Sequence, residues 1–248
     1  MRLPSWLSQH LAALRALLVF TVLVGLAYPL AMVAVGRIPG LAGTADGSII
    51  EVDGRPVGSS LIGQTFTDAD GNPVPRYFQS RPSAAGDGYD PTSTSSSNLG
   101  PEDIVDTIAT DPDDSVQSLL TQVCARSKAI GELDGVDGRR PYCTSDGVGA
   151  VLAVFRRDGT GPVVRVVSVN QTAPVTPFVA RYGGVAVELA QPGVDYRAAG
   201  ATIVPVRGDA PAEPAVPADA VTASASGLDP HISPAYADLQ VERVARER

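Results

Sequence analysis

Four polar residues near the end of the sequence carry the side chains that hydrolases and metal sites use. Ser224, Ser226, Asp229 and His231 fall within eight consecutive positions. A Ser/Asp/His triad is defined by geometry, and residues this close in sequence rarely converge as a triad requires. The Gly-x-Ser-x-Gly elbow is absent, because these serines stand in the pattern Ala-Ser-Ala-Ser-Gly. We therefore expect the serines and Asp229 to hydrogen-bond backbone groups in a tight turn, and we expect no metal site here.

The sequence contains no motif that is typical of nucleotide binding or hydrolysis. The Gly-x-x-x-x-Gly-Lys-Ser/Thr loop that cradles phosphates is missing, and so is the aspartyl-phosphate site of P-type ATPases. The chain is therefore not expected to hydrolyse ATP or to be an enzyme by itself. Gln64, Ser224 and Ser226 are the candidates for nucleotide contact if any occurs.

The two cysteines, Cys124 and Cys143, are 19 positions apart. An isolated pair in an oxidising compartment indicates a disulfide, with two free thiols or a metal site as the alternatives. A metal site would need further ligands, and no histidine lies between Asp46 and Gly227. A disulfide closing a loop of this length would stabilise the fold by roughly 3 kcal/mol in the chain-entropy model.

An uncharged apolar run occupies residues 17–35. Nineteen such residues at ~1.5 Å per residue nearly match the ~30 Å hydrocarbon core of a bilayer. A cleaved signal peptide would have a shorter apolar region followed by a small-x-small cleavage site, and neither residues 29–31 nor residues 32–34 form a good site. Pro29 lies inside the run, and membrane helices tolerate proline. We expect an uncleaved membrane anchor at residues 17–36.

Basic residues predict which way the anchor is inserted. Arg2 and Arg15 precede the span, whereas Arg37 is the one basic residue close behind it. This bias predicts a cytoplasmic N-terminus (residues 1–16) and about 210 residues outside the cytoplasm. The net charge of −8 without a basic cluster argues against nucleic-acid binding.

Short strands and two helices are expected in the part after the anchor. Residues 46–66 predict a hairpin that turns at Asp53-Gly54, and residues 114–129 predict a helix with acidic residues at its start. Strands are expected at residues 149–155, 163–169 and 184–189, and an extended Pro/Ala-rich spacer at residues 205–217.

The last helix is expected to begin after Ser233, with Pro234 in its first turn. Its apolar face is expected to comprise Ala237, Val241 and Val244. The opposite, solvent-facing side is expected to comprise Glu242, Arg243, Arg246 and Glu247.

Four blocks in order resemble the C chain of potassium-transporting ATPases, the KdpC family. They are GSSLIGQTF at residues 58–66, YFQSRPSA at 77–84, SSSNLGP at 95–101 and the segment 221–244 with SGLDPHISPA inside it. The resemblance covers roughly residues 10–104 and 218–248. Two departures stand out: Ala225 occupies a position where the family usually has glycine, and the family ordinarily continues past Arg248 through a further α/β segment, so part of the domain is expected to be cut short.

The resemblance implies an α+β fold, with one N-terminal transmembrane helix followed by a mixed extracytoplasmic domain. That domain would comprise residues 37–108 and 218–248, interrupted by a strand-rich insertion at 109–217. It also implies a single-pass protein of the cell membrane that helps to assemble a potassium-uptake pump. The implied partners are a channel-like potassium-binding subunit, a P-type ATPase subunit and a small subunit.

The resemblance further implies the role of a catalytic chaperone, which raises the ATP affinity of the ATPase subunit. ATP would then be contacted only together with that subunit. An outward domain cannot reach cytoplasmic ATP, so we favour a role in assembly, carried by Arg81, Asn98, Asp229 and His231. The alternative is a membrane-anchored extracytoplasmic binding module unrelated to transport.

Overall fold

The computed structural model describes residues 4–93 and 103–248 of the chain. The chain divides into two units, Met1–Ile62 and Gly63–Arg248. Together they form the expected mixture of α and β structure, with one long apolar helix near the N-terminus and a strand-rich sheet.

The first unit begins with a continuous 32-residue helix, Ser5–Gly36. It consists of α1 (Ser5–Val22), a π-helical turn (Leu23–Ala27) and α2 (Tyr28–Gly36). Pro29 lacks the N–H that an α-helix needs and would crowd the carbonyl of Gly25, four residues earlier. The π turn accommodates this by widening the helix at that carbonyl. By length and composition this helix could cross a membrane, and it is the one such helix in the described part of the chain.

A short helix and a hairpin complete the first unit. Helix α3 spans Ala42–Ala45, and strands β1 (Ile49–Val52) and β2 (Arg55–Ser59) pair antiparallel. Asp53 and Gly54 both adopt positive φ in the two-residue turn, as primed hairpin turns require. The predicted hairpin is therefore confirmed.

The second unit contains a five-stranded sheet in the order β5-β6-β4-β3-β7. Strand β3 is central and pairs antiparallel with β4 and β7, while β4 and β6 run parallel. The first four residues of β3 are buried, so its apolar run contributes to the cores on both faces of the sheet. The strands are β3 (Val151–Arg156), β4 (Val163–Ser168), β5 (Arg181–Tyr182), β6 (Val185–Leu189) and β7 (Thr202–Pro205).

The three strands predicted in this region are confirmed, and β5 and β7 were not predicted. Both are short edge strands, of two and four residues. A period-2 pattern cannot be recognised over so few positions. Strand β5 pairs with β6, to which a tight turn joins it, and β7 pairs with β3, which is distant in sequence. These pairings place both short strands in the sheet.

The helix predicted at 114–129 begins later and ends later than expected. Helix α4 spans Leu119–Asp134, with the Ser118 hydroxyl accepting from the N–H of Thr121. The acidic residues before it form a separate 3₁₀ turn, Pro112–Asp114, and a second such turn spans Arg157–Gly159. Val116 therefore lies outside the helix and is exposed. Serine capping determined the start rather than the acidic run.

The buried face of α4 is made of small residues: Thr121, Cys124, Ser127 and Gly131. They recur at intervals of three and four, so one helix face can approach its neighbours closely. Cys124 is joined to Cys143 in a disulfide that ties α4 to the loop before β3. Of the apolar residues in and just before the helix, Leu120 and Val123 are half-buried and pack against neighbouring cores, whereas Val116 and Leu119 are exposed.

The segment 205–217, predicted as an extended spacer, has no regular structure after β7, and part of it is buried in the second unit. Val216 is fully buried, and its carbonyl accepts from Nη1 of Arg140 at 2.9 Å. Val216 packs with α5 (Ala218–Val221) and with Tyr236. The proline-rich composition favours an extended backbone, and the burial of Val216 determines where this backbone runs.

The last helix, α6, spans Pro234–Glu247, and Ser233 caps it by accepting from the N–H of Tyr236 at 3.1 Å. The predicted cap is confirmed, and Val244 is buried and Glu242, Arg246 and Glu247 are exposed as predicted. Val241 and Arg243 are on the opposite sides of the helix from those predicted. The buried positions are Tyr236, Gln240, Arg243 and Val244, whereas Val241 is about half exposed. The spacing of apolar residues did not predict the buried face, because a glutamine and an arginine occupy two of the buried positions.

Arg243 is buried because the fold supplies partners for its whole guanidinium group. Nε donates to Oδ1 of Asp134 at 2.7 Å, and both side chains are 1% exposed. Nη2 donates to Gln240 at 2.9 Å, and Nη1 donates to the carbonyls of Pro75 and Tyr77. A buried charge is tolerated only with such pairing.

Replacing Arg243 by alanine is expected to destabilise the protein by about 3–5 kcal/mol, because Asp134 would remain buried without its counter-ion. Urea unfolding of the detergent-solubilised chain, followed by circular dichroism, measures this loss. The matched control is Arg246→Ala on the same helix, whose side chain is 66% exposed. That change is expected to stay within ~0.5 kcal/mol of the original protein. Equal effects of the two substitutions would contradict the role given to Arg243.

Candidate functional site

The polar residues singled out from the sequence form a turn just before α6, in the second unit. The N–H of Asp229 donates to Oγ of Ser224 at 3.3 Å, and the N–H of Leu228 donates to Oγ of Ser226 at 3.2 Å. The two serine hydroxyls lie 3.2 Å apart. The expected tight turn of backbone-bonded serines is therefore confirmed.

A loop from earlier in the chain is bonded to this turn. The N–H of Ser224 donates to the carbonyl of Pro82 at 2.8 Å, and Oγ of Ser83 donates to the carbonyl of Gly227 at 2.7 Å. Oγ of Ser83 also accepts from the N–H of Tyr89 at 2.8 Å. Tyr89 is 6% exposed and donates to the carbonyl of Arg81 at 2.5 Å. Burial raises the pKa of Tyr89, so its hydroxyl stays a donor.

A third segment reaches the turn at Gly63. Its N–H donates to the carbonyl of Leu228 at 2.9 Å. A methyl group at Gly63 would collide with the ring of Tyr89 and lie 2.8 Å from Cβ of Pro230. Three of the four blocks on which the family resemblance rests, at residues 58–66, 77–84 and 221–244, thus contribute to one structure.

The surface of the turn carries three charged or titratable side chains. Arg81 Nη1 lies 3.4 Å from Asp229 Oδ2, and the same guanidinium donates to two backbone carbonyls of the turn. Asp229 Oδ1 accepts from the backbone N–H of His231 at 3.0 Å and lies 2.5 Å from Nδ1 of its ring. The His231 N–H, then its ring and Arg81, lower the pKa of Asp229.

This arrangement suits recognition better than catalysis. Asp229 is held between Arg81 and His231, and it therefore stays ionised and directed. The His231 side chain is 79% exposed on the rigid turn. Fixed charges on such a support can bind a partner with little loss of conformational freedom.

The other candidate residues differ in how far they are exposed to solvent. Gln64 and Ser226 are exposed, whereas Ser224 is 1% exposed and its hydroxyl is engaged in the turn. Cys124 and Cys143 form their disulfide in α4 and the loop before β3. Asn98 lies outside the described residues.

The glycine-to-alanine departure at residue 225 falls where the backbone tolerates it. Ala225 is exposed and is not among the described residues with positive φ. The left-handed conformation falls instead at Gly227, with φ of 75°. The methyl group of Ala225 therefore introduces no backbone strain.

Sequence reasoning missed Ser83, Tyr89 and Gly63 as parts of this site. Tyr89 lies in the polar stretch from residue 86 that resembles a linker by composition. An aromatic residue inside such a stretch was the available sign of burial. Gly63 and Ser83 act through close approach and hydrogen bonds between distant segments, for which the sequence shows no local pattern.

Gly227→Ala is expected to destabilise the second unit by about 1–3 kcal/mol, because the left-handed backbone becomes strained and a methyl would lie 2.5 Å from Cβ of Ala85. Thermal unfolding of the full chain in detergent measures the change. The control is Gly208→Ala, at φ 68°, where nothing lies within 4 Å of the added methyl. The control shares the backbone strain but not the collision, so a loss of equal size in both would exclude close packing at Gly227.

Comparisons with known proteins match the parts of the sequence that contain these blocks. A model of the KdpC family, the c chain of K⁺-transporting ATPases, matches residues 10–129 and 187–248. The potassium-transporting ATPase KdpC subunit of Kineococcus radiotolerans is 36% identical over 246 residues, covering 99% of this chain and 76% of that protein. The same subunit of Caulobacter vibrioides (strain NA1000 / CB15N) is 32% identical over 243 residues, covering 98% and 74%.

A further relative matches a shorter part. The KdpC subunit of Mycobacterium tuberculosis (strain H37Rv) is 50% identical over 93 residues, which cover 38% of this chain and 46% of that protein. The family model leaves out residues 130–186, which hold the end of α4 and strands β3, β4 and β5. Because the model matches most of the chain and two relatives align along nearly all of it, the chain belongs to the KdpC family.

Proposed function

We propose that this chain is a non-catalytic accessory subunit of a potassium-uptake pump and that the turn at residues 222–231 carries its assembly with the other subunits. The relatives are named as subunits of a potassium-transporting ATPase, which supports membership of a larger complex. The observation that carries the proposal is the Arg81–Asp229–His231 cluster, held by hydrogen bonds between three segments that match the family.

The partners we propose are a channel-like potassium-binding subunit, a P-type ATPase subunit and a small subunit. Asp229 and His231 can bind a charged or hydrogen-bonding surface because their positions are fixed before contact. Arg81 adds a planar donor group, of which one N–H on Nη1 remains for a partner's acceptor. Pre-organisation of this kind lowers the entropy lost on docking.

We also propose that the helix Ser5–Gly36 crosses the cell membrane once through its residues 17–36, with residues 1–16 in the cytoplasm and the larger part of the chain outside. The uncharged run at 17–35 and its basic flank support this orientation. A Cys124–Cys143 disulfide is consistent with it, because structural disulfides persist in oxidising compartments.

A role in raising the ATP affinity of the ATPase subunit is a weaker proposal. Of the three candidate contacts, Ser224 is buried, so Gln64 and Ser226 are the ones a ligand could reach. In the orientation proposed above, both would lie across the membrane from cytoplasmic ATP. We therefore place any effect on nucleotide affinity in the coupling between subunits rather than in direct contact.

Replacing Asp229 and His231 together by alanine is expected to reduce co-purification with the channel-like and ATPase subunits by roughly tenfold or more, as for truncated central interface residues. His231→Ala alone, at an exposed side chain, is expected to reduce it in part without changing the melting temperature. Pull-down from detergent-solubilised membranes, with subunit amounts measured by quantitative blotting, gives the result.

The matched control is Arg165→Ala with Glu188→Ala, an exposed ion pair at 2.8 Å between β4 and β6 in the same unit. It is expected to leave assembly unchanged. Full assembly of the folded Asp229/His231 variant, or loss of assembly in the control, would contradict the proposal. Excising the strand-rich segment is a poorer test, because it removes Asp134 and leaves Arg243 buried without its partner.

The orientation predicts the labelling of new cysteines in intact cells. Asp209→Cys, at a side chain 98% exposed in the second unit, is expected to react with a membrane-impermeant maleimide. Ser8→Cys, near the start of α1, is expected to react only after the cells are lysed. The reverse pattern would place the larger part of the chain in the cytoplasm.

A further inference from the structure

The hairpin that follows the long helix leaves its apolar side chains exposed. Ile49, Ile50, Val52 and Val57 are each between 45% and 54% exposed, and β1 is exposed along its whole length. A two-stranded hairpin with no partner layer is marginally stable in water. Because strand residues alternate between the two faces, Ile50 and Val52 share one face of β1 and Ile49 lies on the other face with Glu51. The face that carries Ile50 and Val52 has no covering layer in the described part of the first unit.

The hairpin is joined to the end of the helix within the same unit. A methyl group at Gly36 would lie 3.4 Å from Cβ of Ala45, so α3 lies directly against the last turn of α2. The N–H of Ser48 donates to the carbonyl of Gly43 at 2.8 Å, and the hydroxyl of Ser59 donates to the carbonyl of Gly47 at 2.6 Å. The base of the hairpin is thus linked through α3 to the helix end.

The helix end has a defined depth once the helix spans a bilayer. Residues 17–35 would extend ~28 Å at ~1.5 Å per residue, close to the ~30 Å of the hydrocarbon core. Arg15 and Arg37 flank this run on either side. Gly36 then lies at the boundary of the hydrocarbon, and α3 and the hairpin base begin at the level of the lipid headgroups.

The charges around the hairpin point to apolar rather than electrostatic contact. Residues 37–62 contain two basic residues, Arg37 and Arg55, against three acidic ones, Asp46, Glu51 and Asp53. Attraction to anionic lipids needs an excess of basic residues, which this segment lacks. Burial of apolar side chains among the upper parts of the acyl chains needs no such excess.

We propose that the hairpin β1–β2 lies in the interface of the bilayer, beside the end of α2, with the face that carries Ile50 and Val52 turned to the lipids. Ile38 and Leu41, which lie between the helix end and the hairpin in the sequence, are also about half exposed. This inference rests on the membrane-spanning helix of the proposed function. The hairpin then acts as a second membrane contact that restrains the chain where it leaves the bilayer.

Fluorescence quenching by lipids with brominated acyl chains tests this contact in the full chain. The sequence has a single tryptophan, Trp6, so Trp6→Phe gives a silent background. Val52→Trp and Val57→Trp then report separately from two exposed hairpin positions. In phosphatidylcholine vesicles both are expected to lose fluorescence when brominated lipid replaces ordinary lipid, and raising the salt concentration is expected to leave the loss unchanged.

Two further variants distinguish the possible failures. Leu30→Trp, inside the helix, is expected to be quenched more strongly than either hairpin site, and Val164→Trp, 48% exposed on β4, is expected to be quenched less than both. Quenching at Leu30→Trp without quenching at residues 52 and 57 would overturn the hairpin proposal and leave the spanning helix in place. Absence of quenching at Leu30→Trp would overturn the spanning helix and, with it, the hairpin contact. Hairpin quenching that disappears at high salt would overturn the apolar contact in favour of an electrostatic one.

Discussion

The buried guanidinium group of Arg243 joins three parts of the second unit. Arg243 and Asp134 are both 1% exposed, so each needs the other, and the remaining donors of Arg243 need acceptors of their own. Those acceptors are Gln240 on the same helix and the carbonyls of Pro75 and Tyr77. One side chain on α6 thereby fixes the end of α4 and the path of the loop before residue 79.

The same loop is then fixed a second time. The side-chain amide of Gln240 accepts from the N–H of Gln79 at 2.7 Å and donates to its carbonyl at 3.1 Å, as a paired strand would. Two residues later, Arg81 reaches the turn before α6 and the carboxylate of Asp229. The core charge and the surface cluster are therefore successive contacts of one loop, so the orientation of Asp229 and His231 depends on a well-packed α6.

Residues 130–186, which the family model leaves out, belong to the same sheet and the same ion pair as the matched part of the second unit. The strands β4 and β3 of this segment lie side by side between β6 and β7, and its strand β5 pairs with the other edge of β6. Strand β7 and most of β6 lie in the matched part. Asp134 belongs to the segment, whereas Arg243 belongs to the matched part. A sheet shared between the two parts, together with a shared buried ion pair, makes the segment part of one folded unit rather than an appendage.

The sequence alone determined the features that depend on neighbouring residues. These were the apolar helix, the hairpin turn at Asp53-Gly54, the three longer strands and the Ser233 cap. The resemblance located the blocks, but only the tertiary structure showed that three of them meet at Gly63, Ser83 and Gly227. It alone decided that Arg243 is buried and Val241 exposed, because the counter-ion of Arg243 lies 109 positions away. Burial of a charge depends on partners that the fold brings together, and no periodicity within one helix records them.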